Sequence, residues 1–178
     1  MILIPGPVIA ALTFPGVVIH ELAHQLFCRR FGIPVYQVCY FQFGDPAGYV
    51  VHGITDNWRH QVLVSAGPFF LNSSFAAILA FPSALRSFHF SGAATPFDML
   101  LLWFAMSVAM HAIPSTVDAK AMWQAVSAKK VSLLARVAVA PLVGLIFLLA
   151  IGSMFWLDLV YAVGVCLVLP TMLAQFLS

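Results

Sequence analysis

The chain of 178 residues is 62% hydrophobic and only 8% charged, a composition that excludes an ordinary soluble domain. Soluble domains carry roughly 25% charged and about 45–50% apolar residues, and the mean hydropathy of +1.01 lies far on the apolar side of that range. The formal net charge of +2 is too small to indicate a nucleic-acid partner. We therefore predict an all-α polytopic protein embedded in the lipid bilayer.

The hydrophobic pattern predicts about five transmembrane helices in one membrane-embedded domain, residues 1–178. A span needs about 20 apolar residues, and such runs lie at about 2–27, 61–81, 97–113, 131–151 and 154–177. The first three spans form a core of about residues 1–130, and two additional spans follow at about 131–178. Within the first span, Pro15 predicts a kink.

Two stretches outside the spans carry predicted structure of their own. Residues 36–43 and 49–52 are rich in aromatic and β-branched side chains, and the turn-forming sequence 44–48 lies between them. This pattern predicts a short β-hairpin between the first and second spans. Residues 118–130 are amphipathic and end in a lysine pair, which predicts a short interfacial helix.

The distribution of lysine and arginine predicts the orientation in the membrane. One side holds Arg29, Arg30, Arg59, Lys120, Lys129, Lys130 and Arg136, whereas the other holds only Arg86, in the loop 82–96. Positive residues accumulate on the cytoplasmic side, so we expect the hairpin and the interfacial helix there and the N-terminus outside, with the cell membrane as the location. Cys28, Cys39 and Cys166 show no metal or redox spacing and are predicted to be free thiols.

A His-Glu-Leu-Ala-His sequence at residues 20–24 is the strongest chemical signal in the chain. A helix would place His20 and His24 on one face, one turn apart, where two imidazoles can bind one zinc ion and Glu21 can act on its water. Ionisable groups inside an apolar span are costly and mark functional sites. The alternative is that these side chains only form hydrogen bonds to neighbouring helices.

A catalytic zinc needs a third protein ligand, and the residues themselves leave the choice open. Asp118 follows the third span on the predicted cytoplasmic side, where Pro114 can end the helix and turn the chain inward. Asp118 equally fits the N-cap of the interfacial helix, and capping and ligation compete for the same carboxylate oxygens. His111 and His52 are the alternative ligands.

Three more features accompany the motif. Ala66-Gly67-Pro68 is followed by Asn72, a hairpin is predicted between the first two spans, and His111-Ala-Ile-Pro114 precedes Asp118. In this combination the chain resembles the site-2 protease family of membrane-embedded zinc metalloproteases over about residues 10–125. The chain departs from that family in having His111 where the family has asparagine, and in the shorter spacing from Pro114 to Asp118.

The resemblance implies an intramembrane zinc metalloprotease that hydrolyses peptide bonds in or near transmembrane segments of membrane protein substrates. It assigns His20, His24 and Asp118 as ligands of one zinc ion and Glu21 as the general base. Asn72 or His111 would then help to hold the oxyanion of the transition state. The 36–52 hairpin is expected to bind an unwound substrate by β-addition, and an interfacial anchor is the alternative role for the hairpin.

Two functions from other classes compete with proteolysis. A catalytically silent membrane scaffold or chaperone would keep a zinc site, but it would not need Glu21. A zinc transporter would need polar residues that continue to the outer side of the membrane, and these are nearly absent from the sequence. The sequence therefore favours the protease.

Overall fold

The computed structural model describes residues 4–86 and 93–177, so the first residues of the first predicted span and part of the loop 82–96 lie outside it. The helices are α1 (Gly6–Leu12), α2 (Phe14–Arg30), α3 (Trp58–Ala84), α4 (Pro96–Met110), α5 (Thr116–Ser127), α6 (Leu133–Gly152), α7 (Leu157–Val163) and α8 (Leu169–Leu177). The strands are β1 (Val35–Cys39) and β2 (Tyr49–His52). A 3-10 turn (Ser153–Phe155) precedes α7, and a π-helical turn (Gly164–Val168) joins α7 to α8.

The structure confirms a mostly helical chain with apolar helices suited to a membrane, but it does not confirm five spans. Among the described residues, three segments are long and apolar enough to cross a membrane: Trp58–Ala84, Leu133–Phe155 and Leu157–Phe176. A fourth is counted if α1 and α2 form one bent span. Helix α4 is apolar but has only 15 residues.

The first predicted span is broken where a kink was predicted. Helices α1 and α2 meet at 88° around Thr13. Pro15 lies in the first turn of α2, where the missing N–H would have had no intrahelical partner. Proline therefore starts a new helix here instead of bending a continuous one.

Helix α3 is the central element, because it contributes to each of three buried clusters. The first cluster joins α3 to α5 and α6 and consists of Val62, Ala66, Ala119, Met122, Val126, Val143 and Ile146. The second joins α3 to α4 and the last span and consists of Ala76, Ala80, Ala105, Val108, Ala109, Ala162 and Cys166. In the third, Val64 packs on Cys28 and Ile33 near the end of α2. Small side chains dominate the second cluster and allow close helix contact.

The predicted hairpin forms, although its first strand is shorter than expected. Strands β1 and β2 pair antiparallel, with Cys39 opposite Tyr49 and an irregularity between Val35 and Gln37. Pairing ends at Cys39 because the chain then folds into a loop, in which the backbone N–H of Gln42 donates to the carbonyl of Ala47 (2.7 Å). The hairpin is tied to α2 by the Tyr40 hydroxyl, which donates to Gln25 Oε1 (2.6 Å).

The predicted interfacial helix begins two residues earlier than expected and ends at Ser127 rather than 130. Its N-cap is Ser115, and Asp118 occupies the third helical position in a reciprocal capping box. The N-cap role that the sequence left open as an alternative for Asp118 therefore belongs to Ser115. Because Ala119, Met122 and Val126 face the core, α5 is fixed against α3 and α6.

Candidate metal centre

His20 and His24 lie one turn apart on α2, and their ring nitrogens face each other. The Nε2 atoms are 3.2 Å apart. The Nδ1 atom of His20 is 2.6 Å from the carbonyl oxygen of His111, and that of His24 is 2.9 Å from the carbonyl oxygen of Val64. A carbonyl can only accept, so each Nδ1 donates a hydrogen bond to its carbonyl, and in the neutral form each ring would present an Nε2 lone pair to the other.

Asp118 approaches this pair from the N-terminus of α5. Its Oδ1 lies 3.4 Å from His24 Nε2. Its Oδ2 accepts hydrogen bonds from the backbone N–H (2.9 Å) and the hydroxyl (2.6 Å) of Ser115. The two oxygens thus have separate partners, and capping does not compete with an approach to the histidines. This division corrects the expectation that both roles would need the same oxygens.

Two of the distances among these three side chains match the spacing of ligands on a zinc ion. Among the described residues they form the group whose ligand atoms all lie within 4.8 Å of one another. Tetrahedral zinc with bonds of about 2.0–2.1 Å separates its ligand atoms by about 3.3 Å, close to the 3.2 Å and 3.4 Å observed here. A cation would also remove the repulsion between the converging lone pairs and the carboxylate charge.

Glu21 lies beside this group in a cavity that opens between the hairpin and α5. The residue is 8% exposed. Together with His20, His24 and Asp118 it lines a cavity of about 360 Å³. A second cavity of about 270 Å³ also reaches His20 and Glu21 and extends to the α6–α7 turn at Ser153 and Asp158. Glu21 is therefore buried against protein and still reaches a space that water or substrate can fill.

The hairpin loop covers Glu21 closely. A Cβ atom on Gly48 would lie 2.8 Å from Glu21 Cγ and 3.1 Å from the carbonyl oxygen of Cys39. Glycine is needed at this position because any larger residue would displace either the loop or the carboxylate. The loop thus forms one wall of the site.

The amide of Asn72, for which an oxyanion role was predicted, contacts the end of α4. Its side chain is fully buried, and Nδ2 donates to the carbonyl oxygens of His111 (3.1 Å) and Val108 (3.4 Å). The amide therefore supports the end of α4, and its oxyanion role stays a prediction. Sequence alone shows the residue type but cannot show which group the amide faces.

His111 lines the second cavity, but its ring is engaged elsewhere. The Thr13 hydroxyl donates to the carbonyl of Ile9 (2.7 Å), so His111 Nε2 is the donor in its 2.8 Å contact with Thr13 Oγ1. The residue contacts the candidate metal centre through its backbone carbonyl instead of its side chain. His111 is not a member of the three-residue ligand group within the described chain.

Asp45 and His52 are among the other polar residues that line the cavities around Glu21. Asp45, to which the sequence assigned no role, lies in the hairpin loop and lines both cavities. His52, the second alternative ligand, lines the larger cavity but lies outside the ligand group among described residues. Its Nδ1 contacts the carbonyl of Gly53 (2.9 Å). The sequence indicated only that Asp45 lies in a turn. Which way that turn folds depends on tertiary contacts, so its approach to the cavities could not be predicted.

Comparisons with protein-family models, with curated proteins and with solved structures found no match to this chain. A proposal about function therefore rests on the geometry of the candidate metal centre, the chemistry of its side chains and the sequence motifs described above.

Proposed function

We propose that the protein is an intramembrane zinc metalloprotease that hydrolyses peptide bonds in or near transmembrane segments. The observation that carries this proposal is the convergence of His20 Nε2, His24 Nε2 and Asp118 Oδ1 beside the buried carboxyl group of Glu21. Three converging acceptors suit a cation, and a catalytic zinc uses three protein ligands and leaves a fourth position open. The resemblance to the site-2 protease family supports the same assignment.

In the proposed reaction, three side chains bind the metal and a fourth transfers the proton. His20, His24 and Asp118 would hold a zinc ion, whose chemistry when bound would be that of a Lewis acid toward water and a peptide carbonyl. Glu21 accepts the proton of the attacking water as the new C–O bond forms. When the C–N bond breaks, Glu21 returns that proton to the leaving amine. The burial of Glu21 limits competition from bulk water.

Strand β2 is the proposed docking edge for substrate. Tyr49, Val50 and His52 of β2 line the cavity that holds Glu21 and Asp118, whereas β1 lines a separate cavity beside Gln25. A substrate segment that adds to β2 would enter the space between the hairpin and the N-terminus of α5. An extended segment exposes its carbonyl groups, which a helix shields by internal hydrogen bonds.

We further propose five membrane crossings, formed by α1–α2, α3, α4, α6 and α7–α8. Helix α4 would be the shortest of them. The side with the lysine and arginine residues would face the cytoplasm, with the N-terminus outside and the site toward the cytoplasm. One observation supports a common side for two of these loops: Lys130 Nζ before α6 lies 2.7 Å from Asp56 Oδ1 before α3.

The Glu21→Gln variant tests the proposed reaction. The full chain is purified in detergent with a panel of single-span reporter proteins, and new termini are identified by mass spectrometry. The amide keeps the volume of Glu21 but cannot accept the proton, so we expect cleavage to fall at least about 100-fold while zinc content stays at one ion per chain. The exposed Asp56→Asn variant is the control for a carboxyl-to-amide change outside the site.

The same measurements separate the protease from a zinc-binding scaffold or chaperone. Equal cleavage by wild type and Glu21→Gln would refute Glu21 as the base. Retained zinc without cleavage of any reporter by either protein would favour the scaffold. A chelator such as 1,10-phenanthroline is expected to abolish cleavage by wild type, and added zinc is expected to restore it.

A further inference from the structure

The carbonyl group of Val64 is available to His24 because of a proline in α3. In a helix, this carbonyl would accept from the N–H four residues later, and that residue is Pro68, which has no N–H. The proline ring also crowds the carbonyl of the residue four positions before it. The structure places His24 Nδ1 2.9 Å from this carbonyl oxygen.

The carbonyl group of His111 is available to His20 because α4 ends there. The last carbonyls of a helix have no intrahelical donor, and His111 is the C-cap of α4. His20 Nδ1 lies 2.6 Å from this oxygen, and Asn72 Nδ2 donates to the same oxygen from 3.1 Å. Asn72 is fully buried, so its amide fixes the carbonyl in place from the α3 side.

Val64, Pro68 and Asn72 are spaced by four residues and therefore share one face of α3. We propose that this face positions both histidine ligands of the candidate metal centre. Pro68 releases the Val64 carbonyl to orient His24, and Asn72 holds the His111 carbonyl to orient His20. Both rings are thereby locked with Nδ1 protonated and Nε2 directed to the metal. Pro68 and Asn72 are positioning residues in this assignment, which rests on the metal site of the proposed function.

The alternative is that Pro68 and Asn72 serve only to pack α3 against its neighbours. The two roles predict different changes for Pro68→Ala. A packing role gives no reason for metal affinity to change when the fold is kept. A positioning role predicts that the backbone N–H restored by the substitution competes for the Val64 carbonyl, so that metal affinity falls while the helix itself becomes more regular.

Cobalt binding to the full chain in detergent measures this difference. Co²⁺ is titrated into metal-free wild type and Pro68→Ala, and its visible absorption reports both affinity and tetrahedral geometry. We expect Pro68→Ala to bind about tenfold more weakly or worse, within the range for partners that orient metal ligands, with an unchanged or higher melting temperature. Pro82→Ala is the matched control, because Pro82 lies in the same helix, is exposed and is remote from the site.

Asn72→Leu tests the second contact, since leucine has a similar volume but no donor. We expect weaker Co²⁺ binding. Ser73→Ala is the control on the same helix α3; it removes a hydroxyl contact to Tyr161 of α7 and should leave binding unchanged. If Asn72→Leu fails to fold, Asn72→Ala removes the donor without adding bulk. In the metal-free chain, ¹⁵N-histidine spectra are expected to show Nδ1-protonated rings for His20 and His24.

Three outcomes would overturn this inference. The first is unchanged Co²⁺ affinity and spectra in both Pro68→Ala and the Asn72 variant. That result would refute the positioning role but would leave the proposed metal site standing. An equal loss of affinity in Pro68→Ala and Pro82→Ala would show a general effect of the helix. Failure of wild type to bind Co²⁺ would overturn both this inference and the proposed function.

Discussion

Asp118 combines a helix-capping contact with a place in the candidate metal centre. Its Oδ2 is bonded to Ser115, whereas its Oδ1 faces His24. The capping contact fixes the rotamer that directs Oδ1 inward. A carboxylate at the N-cap itself would bond to backbone N–H groups of its own helix. Asp118 lies three residues later, where Oδ2 can bond to Ser115 while Oδ1 stays available to the histidines.

The two functions of this carboxylate can be separated by substitution. Asp118→Asn keeps an acceptor for Ser115 but loses the ligand charge, and we expect zinc affinity to fall by more than about 100-fold, beyond the range for outer partners. Ser115→Ala removes the N-cap and is expected to lower stability by about 1 kcal/mol, with a much smaller change in zinc affinity. Zinc titration and thermal unfolding check the pair, and equal losses of zinc in both variants would contradict the assignment.

At the scale of elements, the site depends on how closely α2 approaches α4. Gly16 on α2 lies so near α4 that a Cβ atom would overlap the carbonyl oxygen of Ser107 and lie 2.6 Å from His111 Cδ2. The contact between His20 and the His111 carbonyl joins the same two helices. Gly16 lies four residues before His20. Its lack of a side chain therefore permits the short distance between α2 and α4 that the contact of His20 with the His111 carbonyl requires.

Gly16→Ala is expected to force α2 and α4 apart. Overpacking of this kind costs about 1–3 kcal/mol, and the separation should also weaken zinc binding by lengthening the contact between His20 and His111. Gly144→Ala is the matched control, because a Cβ there meets nothing within 4 Å in the interior of α6. Alanine should leave that helix as stable or more stable. If thermal unfolding and zinc titration show the same behaviour for both variants, the close approach is unimportant.

At the scale of the whole molecule, the described chain has an apolar exterior that suits lipid. Helix α6 exposes Leu133, Leu134, Val137, Leu145, Leu148 and Ile151. The charged contact between Lys130 and Asp56 lies outside the spans, where the hydrogen bond from Lys130 lowers the pKa of the Asp56 carboxyl group. A lowered pKa keeps this contact ionised at neutral pH, and it is lost only as the pH falls through that lowered value in acid.

The three native cysteines give a direct test of orientation. All three are free thiols, as predicted; Cys28 and Cys166 are buried, whereas Cys39 in β1 is partly exposed. We expect a membrane-impermeant maleimide to label Cys39 in inside-out vesicles but not in intact cells, since the hairpin is proposed to face the cytoplasm. Cys39→Ser should abolish the signal. Labelling in intact cells would reverse the proposed orientation.

Local rules predicted the parts of the site that lie within one helix. The helical period alone places His20 and His24 on one face. Their orienting carbonyls lie 91 and 40 residues away in sequence, and no local pattern shows such contacts. The contacts of Asn72 were not predictable for the same reason, because an amide has donors and acceptors but its residue type does not indicate its partner.

Element boundaries were predicted less well where two local signals competed. Pro15 indicated a bend, but its place in a first helical turn allowed a break of 88°. Ser115 and Asp118 both suit a helix start, and the reciprocal capping box decided between them. The number of spans stays a prediction. Hydropathy shows how long an apolar run is, but it does not show where the helix within that run begins and ends.

The lengths of the helices have a consequence for the surrounding lipid. Helix α2 has 17 residues and α4 has 15, or about 25 Å and 22 Å at 1.5 Å per residue, whereas the hydrocarbon core of a bilayer is about 30 Å thick. If α2 and α4 cross the bilayer as proposed, thinning of the surrounding membrane is one way to match their short length. Hydrophobic mismatch would thus bring headgroups and water closer to His20 and Glu21, so that acyl-chain length becomes a determinant of access to the site.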